Sequence, residues 1–379
     1  MAGRKVATNR TALLDGLKVV GAVSMRPGTP VSAGVLIEAS GSKVTMTATD
    51  LEMTVRHEVT LPEPIGTFKV LAPRKVLADI CKAAPDAGFQ VSTDGKQLTV
   101  GYSVIRLLPV EDFPVFSEVK APTRIFNLET WRDAATVGAS CVSDDADRPI
   151  LTSVRAEFAE GVLTIASTDS YTLAVATCPK YANHGSAKDF AVNMLGDGVA
   201  AVLKLTRKAP ADWVLAIRPS KSETLFAWGQ TELRCRNIEG EFPNYRQLLP
   251  DPDGRDKETG KLLAGKLMRG PEFDSTIASV GVLARNNSPV RLELGSEVAV
   301  CASSPDLGMA RAVVDDSAGG TRWEGEPLTV AFNPRYLARA LEMVPDAPVR
   351  IRDGLRPMTV GDADRCVLVM PVRLPAPIG

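Results

Sequence analysis

One pattern recurs along this chain, and any fold must place each copy in the same way. "TATDLEMTVR" at 47–56 and "ASTDSYTLAV" at 166–175 share a small residue, Thr, Asp and then alternating apolar positions. Strand-like runs precede them, "SMRPGTPVSAGVLIEA" (24–39) and "DDADRPILTSVRAEFA" (144–159), and "VLARNNSPVRLELG" (282–295) reads as a third. Each of these runs follows a stretch of helical periodicity, at 11–24, 128–143 and 272–284. Leu13, Leu14, Leu17 and Val20 keep the 3–4 spacing of one buried helix face. A second helix candidate closes each copy, at 72–84, 193–205 and 332–344. Pro73 and Pro334 sit where a helix start tolerates a missing N–H, with Asn333 as a cap. "VEDFPVF" (110–116) answers "GEFPNY" (240–245), with Phe113 and Phe242 129 residues apart. The third copy is eroded, with "CASSPDLGMAR" (301–311) where Thr-Asp stood. A period this long marks duplicated domains, expected at 1–122, 123–252 and 253–379 of the 379 residues. Runs such as "KQLTVGYSVIRLL" (96–108) alternate apolar and polar residues, so the sheets should be antiparallel with one solvated face. The expected class is α+β.

Composition narrows the function. Apolar residues make up 45%, enough for sizeable cores, and no apolar run approaches the roughly 20 residues of a membrane span. Asp15, Gly16 and Lys18 interrupt any apolar signal region near the basic start, so a cytoplasmic protein is expected. Six cysteines are scattered without a CxxC pair, which suits a reducing compartment and argues against zinc. With two histidines, His57 and His184, a His-based metal centre or triad has little material. No cofactor and no metal are expected.

The carboxylates are the next candidates for chemistry. The apolar set changes parity around Thr49-Asp50, from Val44, Met46 and Ala48 to Leu51, Met53 and Val55, which suggests a bulge or kink inside a strand. Asp50 there reads as bonding its own backbone. Asp169 reads as structural or binding before catalytic. "GDGVAA" (196–201) fits a phosphate-loop pattern, but its counterparts are "APR" and "NPR", so a local strand-to-helix turn is favoured. "SDDAD" (143–147) clusters carboxylates without the spacing of a calcium loop.

Six segments in order, "TDLE" (49–52), "DRPIL" (147–151), "STDSYTLAV" (167–175), "GEFPNYRQLLP" (240–250), "NPRYLARAL" (333–341) and "VMPVRL" (369–374), resemble the bacterial beta sliding clamp, the processivity subunit of DNA polymerase III. The resemblance covers essentially the whole chain. It implies a DNA-clamp fold with two helices inside and antiparallel sheets outside in each domain. It further implies a head-to-tail homodimeric ring around duplex DNA and no catalysis of its own. The implied partners are duplex DNA without sequence preference, the DNA polymerase III alpha subunit, the clamp loader, and other polymerases and repair proteins that dock through short linear motifs.

Charge supports that reading independently. The helix candidates at 10–26, 72–85, 127–143, 193–208, 269–285 and 333–343 carry a net +6, while the whole chain is −1. Positive helices within an acidic shell would draw phosphates inward. Candidate phosphate contacts are Arg26, Arg74, Lys75, Arg148, Lys204, Arg207 and Arg285. Arg26 and Arg148 are the best supported, since both end the first helix of their copy and precede proline. The dimer is expected to join Ile105 to Val282 and Leu283.

By the same resemblance, partner peptides insert apolar side chains between the second and third domains. Carried over, the wall is Leu151, Thr168, Ser170, Tyr171, Thr172, Leu173, Pro243, Gln247, Leu248, Asn333, Tyr336, Leu355, Pro357, Leu368 and the strand Val369, Met370, Pro371, Val372, Arg373 and Leu374. Two positions depart from the family pattern: Thr172 and Gln247 stand where cationic residues are common, which would remove donors from the rim. The tail "PAPIG" (375–379) would move the terminal carboxylate away. Such departures would suit a specialised, inhibitor-tolerant second copy of the clamp. Two readings from other classes stand beside this one. One is a metal-dependent hydrolase or nuclease using Asp50, Asp169 and the 143–147 cluster; the other is a repeat scaffold that does not bind DNA.

Overall fold

The computed structural model describes residues 8–25, 30–87, 89–179, 188–249, 265–284, 288–314, 320–345 and 347–373. Its elements run in three matching series. The first is α1 (Asn9–Val20), β1 (Gly34–Ser40), β2 (Lys43–Thr49), β3 (Met53–Thr60), β4 (Thr67–Pro73), α2 (Arg74–Ala83), β5 (Val91–Thr93), β6 (Gln97–Val100) and β7 (Ser103–Arg106). The second is β8 (Arg124–Asn127), α3 (Leu128–Gly138), β9 (Ser153–Ala159), β10 (Val162–Thr168), β11 (Thr172–Pro179), β12 (Phe190–Leu195), α4 (Gly196–Thr206), β13 (Val214–Pro219), β14 (Glu223–Trp228) and β15 (Thr231–Arg236). The third is β16 (Gly265–Met268), α5 (Pro271–Val280), β17 (Val290–Leu294), β18 (Val298–Ser304), β19 (Gly308–Val314), β20 (Arg322–Glu324), β21 (Leu328–Phe332), α6 (Pro334–Met343), β22 (Val349–Ile351), β23 (Met358–Gly361) and β24 (Arg365–Val369). All six expected helices form, each ending several residues earlier or starting slightly later than its periodic stretch.

The chain packs as two compact units. The first comprises Met1–Arg132, Ala159–Gly161 and Pro179–Ile238; the second comprises Asp133–Phe158, Val162–Cys178 and Glu239–Gly379. The middle series contributes segments to both. In the first unit an eight-stranded sheet runs β4-β1-β2-β3-β15-β14-β13-β8, beside a three-stranded sheet β5-β6-β7. In the second a sheet runs β9-β10-β11-β24-β23-β22-β16-β20, beside a four-stranded sheet β19-β18-β17-β21. The β3–β15 and β11–β24 seams are antiparallel, as expected from the alternating patterns.

Local chemistry explains the helix ends. Thr8 and Thr11 form a reciprocal capping box at the start of α1. Asn333 accepts from the Arg335 amide at 3.0 Å, with Pro334 in the first turn of α6. Gly16, which interrupts the apolar run of α1, is a packing glycine: a Cβ there would meet the Met46 sulfur at 3.0 Å. Gly198 does the same on α4, where a Cβ would lie 2.6 Å from the Cys235 Cβ. Gly198 thus lets α4 approach β15, a packing role that supports the local-turn reading. All six cysteines are buried and unpaired with one another. No helix among the described residues is long and apolar enough to cross a membrane.

The Thr49-Asp50 parity change has a different origin from the one expected. It is not a kink within one strand. β2 and β3 pair antiparallel, with Thr49 opposite Thr54, so the chain reverses there in a tight turn.

Candidate functional site

The repeated Thr-Asp motif builds the same turn twice. Thr49 Oγ1 donates to the Met53 carbonyl at 2.9 Å, and Thr168 Oγ1 donates to the Thr172 carbonyl at 2.6 Å. Asp50 Oδ1 accepts from the amides of Glu52 and Met53 at 3.1 and 2.7 Å. Asp169 Oδ1 accepts from Tyr171 and Thr172 at 2.9 and 2.6 Å. Leu51 and Ser170 occupy matching left-handed positions, with φ of 76° and 78°. Both aspartates therefore satisfy backbone donors, the role expected of Asp50. In the 143–147 segment, Asp145 pairs with Arg148 at 2.7 Å and accepts from the Asp147 amide. Among the described residues no group of three or more His, Cys, Asp or Glu side chains could hold a metal. None of this supports the hydrolase reading.

After each turn the chain runs into a seam between two antiparallel strands. In the second unit Leu173 faces Leu368, and Val175 faces Cys366, across β11 and β24. With Ala166, Phe242 and Tyr245 these form a buried cluster, against which Ile150 and Leu249 pack. In the first unit the equivalent seam joins Thr54 to Arg234 and Arg56 to Glu232 across β3 and β15. Phe113 and Phe116 stand where Phe242 and Tyr245 stand. A hollow of about 440 Å³ exists there too, but its floor carries Arg56, Glu232 and Arg234. Leu36, Val110, Phe113 and Phe116 line this hollow too, so the architecture occurs twice, and what differs is the seam: charged across β3 and β15, apolar across β11 and β24.

Large apolar side chains turn to solvent on the segments that flank this floor, Tyr171 before Leu173, Met370 after Leu368 and Leu248 after Tyr245, and Leu355 is exposed beside Val372. Exposed apolar groups gathered about a buried apolar floor mark an interaction surface. The Met370 amide donates to the Tyr171 carbonyl at 2.9 Å, so the chain beyond β24 continues the ladder past the strand. It then turns so that the Val372 amide donates to the Ala331 carbonyl at 2.7 Å. Beside this crossing is a hollow of about 430 Å³ lined by Thr329, Val330, Ala331, Gly354, Leu355, Val372 and Arg373. A larger cleft of about 1040 Å³ includes Arg148, Asp169, Tyr171, Asn333 and Tyr336. Tyr171 and Tyr336 stack at 5.9 Å between centroids.

Most of the wall residues expected from the sequence fall within this assembly, in distinct roles. Leu151, Thr168, Leu173, Leu368 and Val369 are buried and form its support. Ser170 is exposed, and its hydroxyl accepts from Arg148 Nη1 at 2.9 Å. Pro243 and Gln247 are exposed on the 240–249 segment, while Pro357 and Pro371 are half-buried. Leu374 and the 375–379 tail lie outside the described residues. Thr172 is a correction: it is buried, and its hydroxyl donates inward to Asp169 at 2.8 Å. Neighbouring strand residues point to opposite faces, so with Leu173 in the apolar cluster Thr172 turns away from it and is no rim residue. Phe242, Tyr245, Val175 and Cys366 are floor residues that the sequence did not reveal. The Phe-Pro correspondence could have flagged the first of these, but strand register was needed for the others.

An ionic network braces the outer wall. Glu157 on β9 accepts from the Tyr245 hydroxyl at 2.9 Å, from Arg246 Nη2 at 2.5 Å and from Arg155 Nε at 3.0 Å. Burial pushes the Glu157 carboxyl up, but the Tyr245, Arg246 and Arg155 donors outweigh it and hold it below the usual range.

The expected phosphate contacts separate by burial. Lys75, Lys204 and Arg207 are exposed on or just beyond α2 and α4. Arg74 is a correction: its guanidinium is buried and donates to the Val20 carbonyl at 2.9 Å, so it is not a free cation at the surface. Arg148 is exposed but engaged with Asp145 and Ser170, and it stands well beyond the end of α3 rather than closing that helix. Arg26 and Arg285 lie outside the described residues.

Two sheet edges carry exposed apolar groups. β7 is the end strand of its sheet; Tyr102 and Val104 face solvent while Ile105 is buried. β19 is the end strand of the four-stranded sheet, with Met309 and Val313 exposed and Leu307 just before them. Of the expected interface residues, Val282 is exposed, Leu283 is half-buried, and Ile105 points into the core.

Comparison with known proteins agrees with this geometry. Residues 5–117 match the family model of the DNA polymerase III beta subunit N-terminal domain, and residues 133–244 match that of its central domain. The beta sliding clamp of Streptomyces coelicolor is 27% identical, with 98% of this chain and 99% of that protein aligned. The beta sliding clamp of Staphylococcus aureus is 26% identical over 96% of each chain. Among solved structures, the DNA polymerase III subunit beta of Pseudomonas aeruginosa superposes with a TM-score of 0.85 at 22% identity, covering 96% of this chain and 98% of that one. The Thermotoga maritima beta subunit gives a TM-score of 0.82 at 21% identity, covering 97% and 99%. With both domain models matched across more than half of its length and curated clamps aligned nearly end to end, the chain belongs to the DNA polymerase III beta subunit family, the bacterial beta sliding clamps.

Proposed function

We propose that two copies of the chain close head to tail into a ring around duplex DNA. That ring is a non-catalytic tether for the replicative polymerase and for other proteins carrying short linear motifs. The observation that carries the tethering part is the apolar floor of Leu173 and Leu368, flanked by exposed Tyr171, Leu248 and Met370, with exposed Leu355 beside Val372. An extended peptide with two or three apolar anchors suits a groove of that kind. Its dry floor supplies affinity, and the backbone around Met370 supplies register.

Closure of the ring would join the β7 edge of one copy to the β19 edge of the next. Both are end strands with exposed apolar side chains, an arrangement that natural proteins cover. Edge pairing of unlike surfaces is a heterologous contact, which closes when the rotation permits. The three repeats expected at 1–122, 123–252 and 253–379 would then give six domains to the ring. Lys75, Lys204 and Arg207 would face phosphates without reading sequence. The clamp loader, which must open such a ring, is the further expected partner, and the cytoplasm the expected compartment. Sedimentation should give a species of twice the chain mass that binds one apolar peptide per chain. A monomer that binds no peptide would refute both parts.

A further inference from the structure

The Glu157 network lies beside the apolar floor without adding to its apolar surface. Arg246 is the only lysine or arginine between 239 and 249, the segment that forms the outer wall. It sits between Tyr245, buried in the floor cluster, and Leu248, exposed at the rim. Its side chain is 61% exposed, yet it pairs with a carboxylate at 2.5 Å. The same carboxylate holds the Tyr245 hydroxyl and Arg155, so it is fixed from three directions rather than resting on a loose surface pair.

Resting on the groove reading above, we infer that Glu157 is a specificity-determining positioning residue: it neutralises Arg246 at the rim, so that the groove selects partners by apolar anchors and not by flanking acidic residues. The reason is electrostatic. A peptide carboxylate approaching a free arginine gains an ion pair. Beside Glu157 it meets an Arg246 already engaged by a carboxylate that Arg155 also holds, so attraction to the arginine is offset by repulsion from that carboxylate. The Tyr245 hydrogen bond ties the same carboxylate to the wall, so Arg246 cannot carry Glu157 away with it when a ligand arrives. Burial does not neutralise the acid, since its three donors keep it ionised at neutral pH.

The test is titration of two peptides with the same apolar anchors, one neutral and one with two acidic residues flanking the anchors, at low and high salt. Wild type should bind both within about twofold. Glu157→Gln keeps an acceptor for Tyr245 but removes the charge. It should favour the acidic peptide over the neutral one by about 3–10-fold at low salt and lose that preference at high salt. Arg246→Gln in the otherwise wild-type chain leaves the Glu157 anion without that partner, so it should move the acidic-to-neutral ratio the opposite way, against the acidic peptide, at low salt. An unchanged ratio in Glu157→Gln with the neutral peptide still bound would overturn the inference, as would a gain of acidic preference in Arg246→Gln. Failure of the wild type to bind even the neutral peptide would instead overturn the groove reading on which the inference rests.

Discussion

The amide of Met370 donates to the carbonyl of Tyr171 at 2.9 Å, which fixes a half-exposed methionine at the mouth of the apolar floor. Because the backbone there is held by the ladder, truncating the side chain should remove an anchor without moving the strand. Met370→Ala should weaken an apolar peptide by about 1–3 kcal/mol, as for other interface anchors. Isothermal titration against wild type checks this, and an unchanged affinity places the peptide elsewhere.

The edge strands make a second prediction. Val104→Asp on β7 or Met309→Asp on β19 puts an unpaired charge on an apolar edge, and either change alone should yield folded monomers in sedimentation. Ile105 is a poor choice for this purpose, since it points into the core and its replacement would test folding instead.

Gly198→Ala probes the packing of α4. The new Cβ would lie 2.6 Å from the Cβ of Cys235, and overpacking of this kind costs about 1–3 kcal/mol. The urea midpoint should fall with no change in slope.

The Glu157 carboxyl titrates below the usual glutamate range when folded, because the Tyr245, Arg246 and Arg155 donors outweigh the upward push of burial. The folded state therefore binds fewer protons than the unfolded one just below the ordinary glutamate value of about 4.3. Its contribution to stability is present above that value and is lost as the pH falls through the lower folded one. Wild type should melt higher than Glu157→Gln at neutral pH, and the gap should narrow on acidification below that ordinary value.

Much of this is legible in the sequence. Helix existence follows from apolar spacing, and the threefold order follows from recurring motifs that survive as physical requirements, such as Asp satisfying two amides at a tight turn. What the sequence hides is register. Thr49-Asp50 reads as a kinked strand because a hairpin and a one-residue slip both invert parity. Thr172 reads as a rim residue because strand pairing alone decides which neighbour of Leu173 faces in. Arg74 reads as a free cation because nothing local shows that the Val20 carbonyl lies within its reach. The apolar floor is half visible: Leu173 and Leu368 follow from the family pattern, while Val175 and Cys366 join them only through the β11–β24 pairing.

The exposed cations supply the DNA prediction. Replacing Lys204 and Arg207 together with alanine should weaken loading. The salt dependence should also become shallower, by about 0.9 for each phosphate that is no longer neutralised. Dimer mass should be unaffected.

Linkage around the duplex, rather than local affinity, is what the proposed ring requires to stay on DNA. The direct measurement is retention of loaded protein on a nicked circular plasmid before and after a single cut that linearises it. Stable retention on the circle and rapid loss from the free ends after the cut are the predicted result. Equal retention on circle and linear DNA would contradict it.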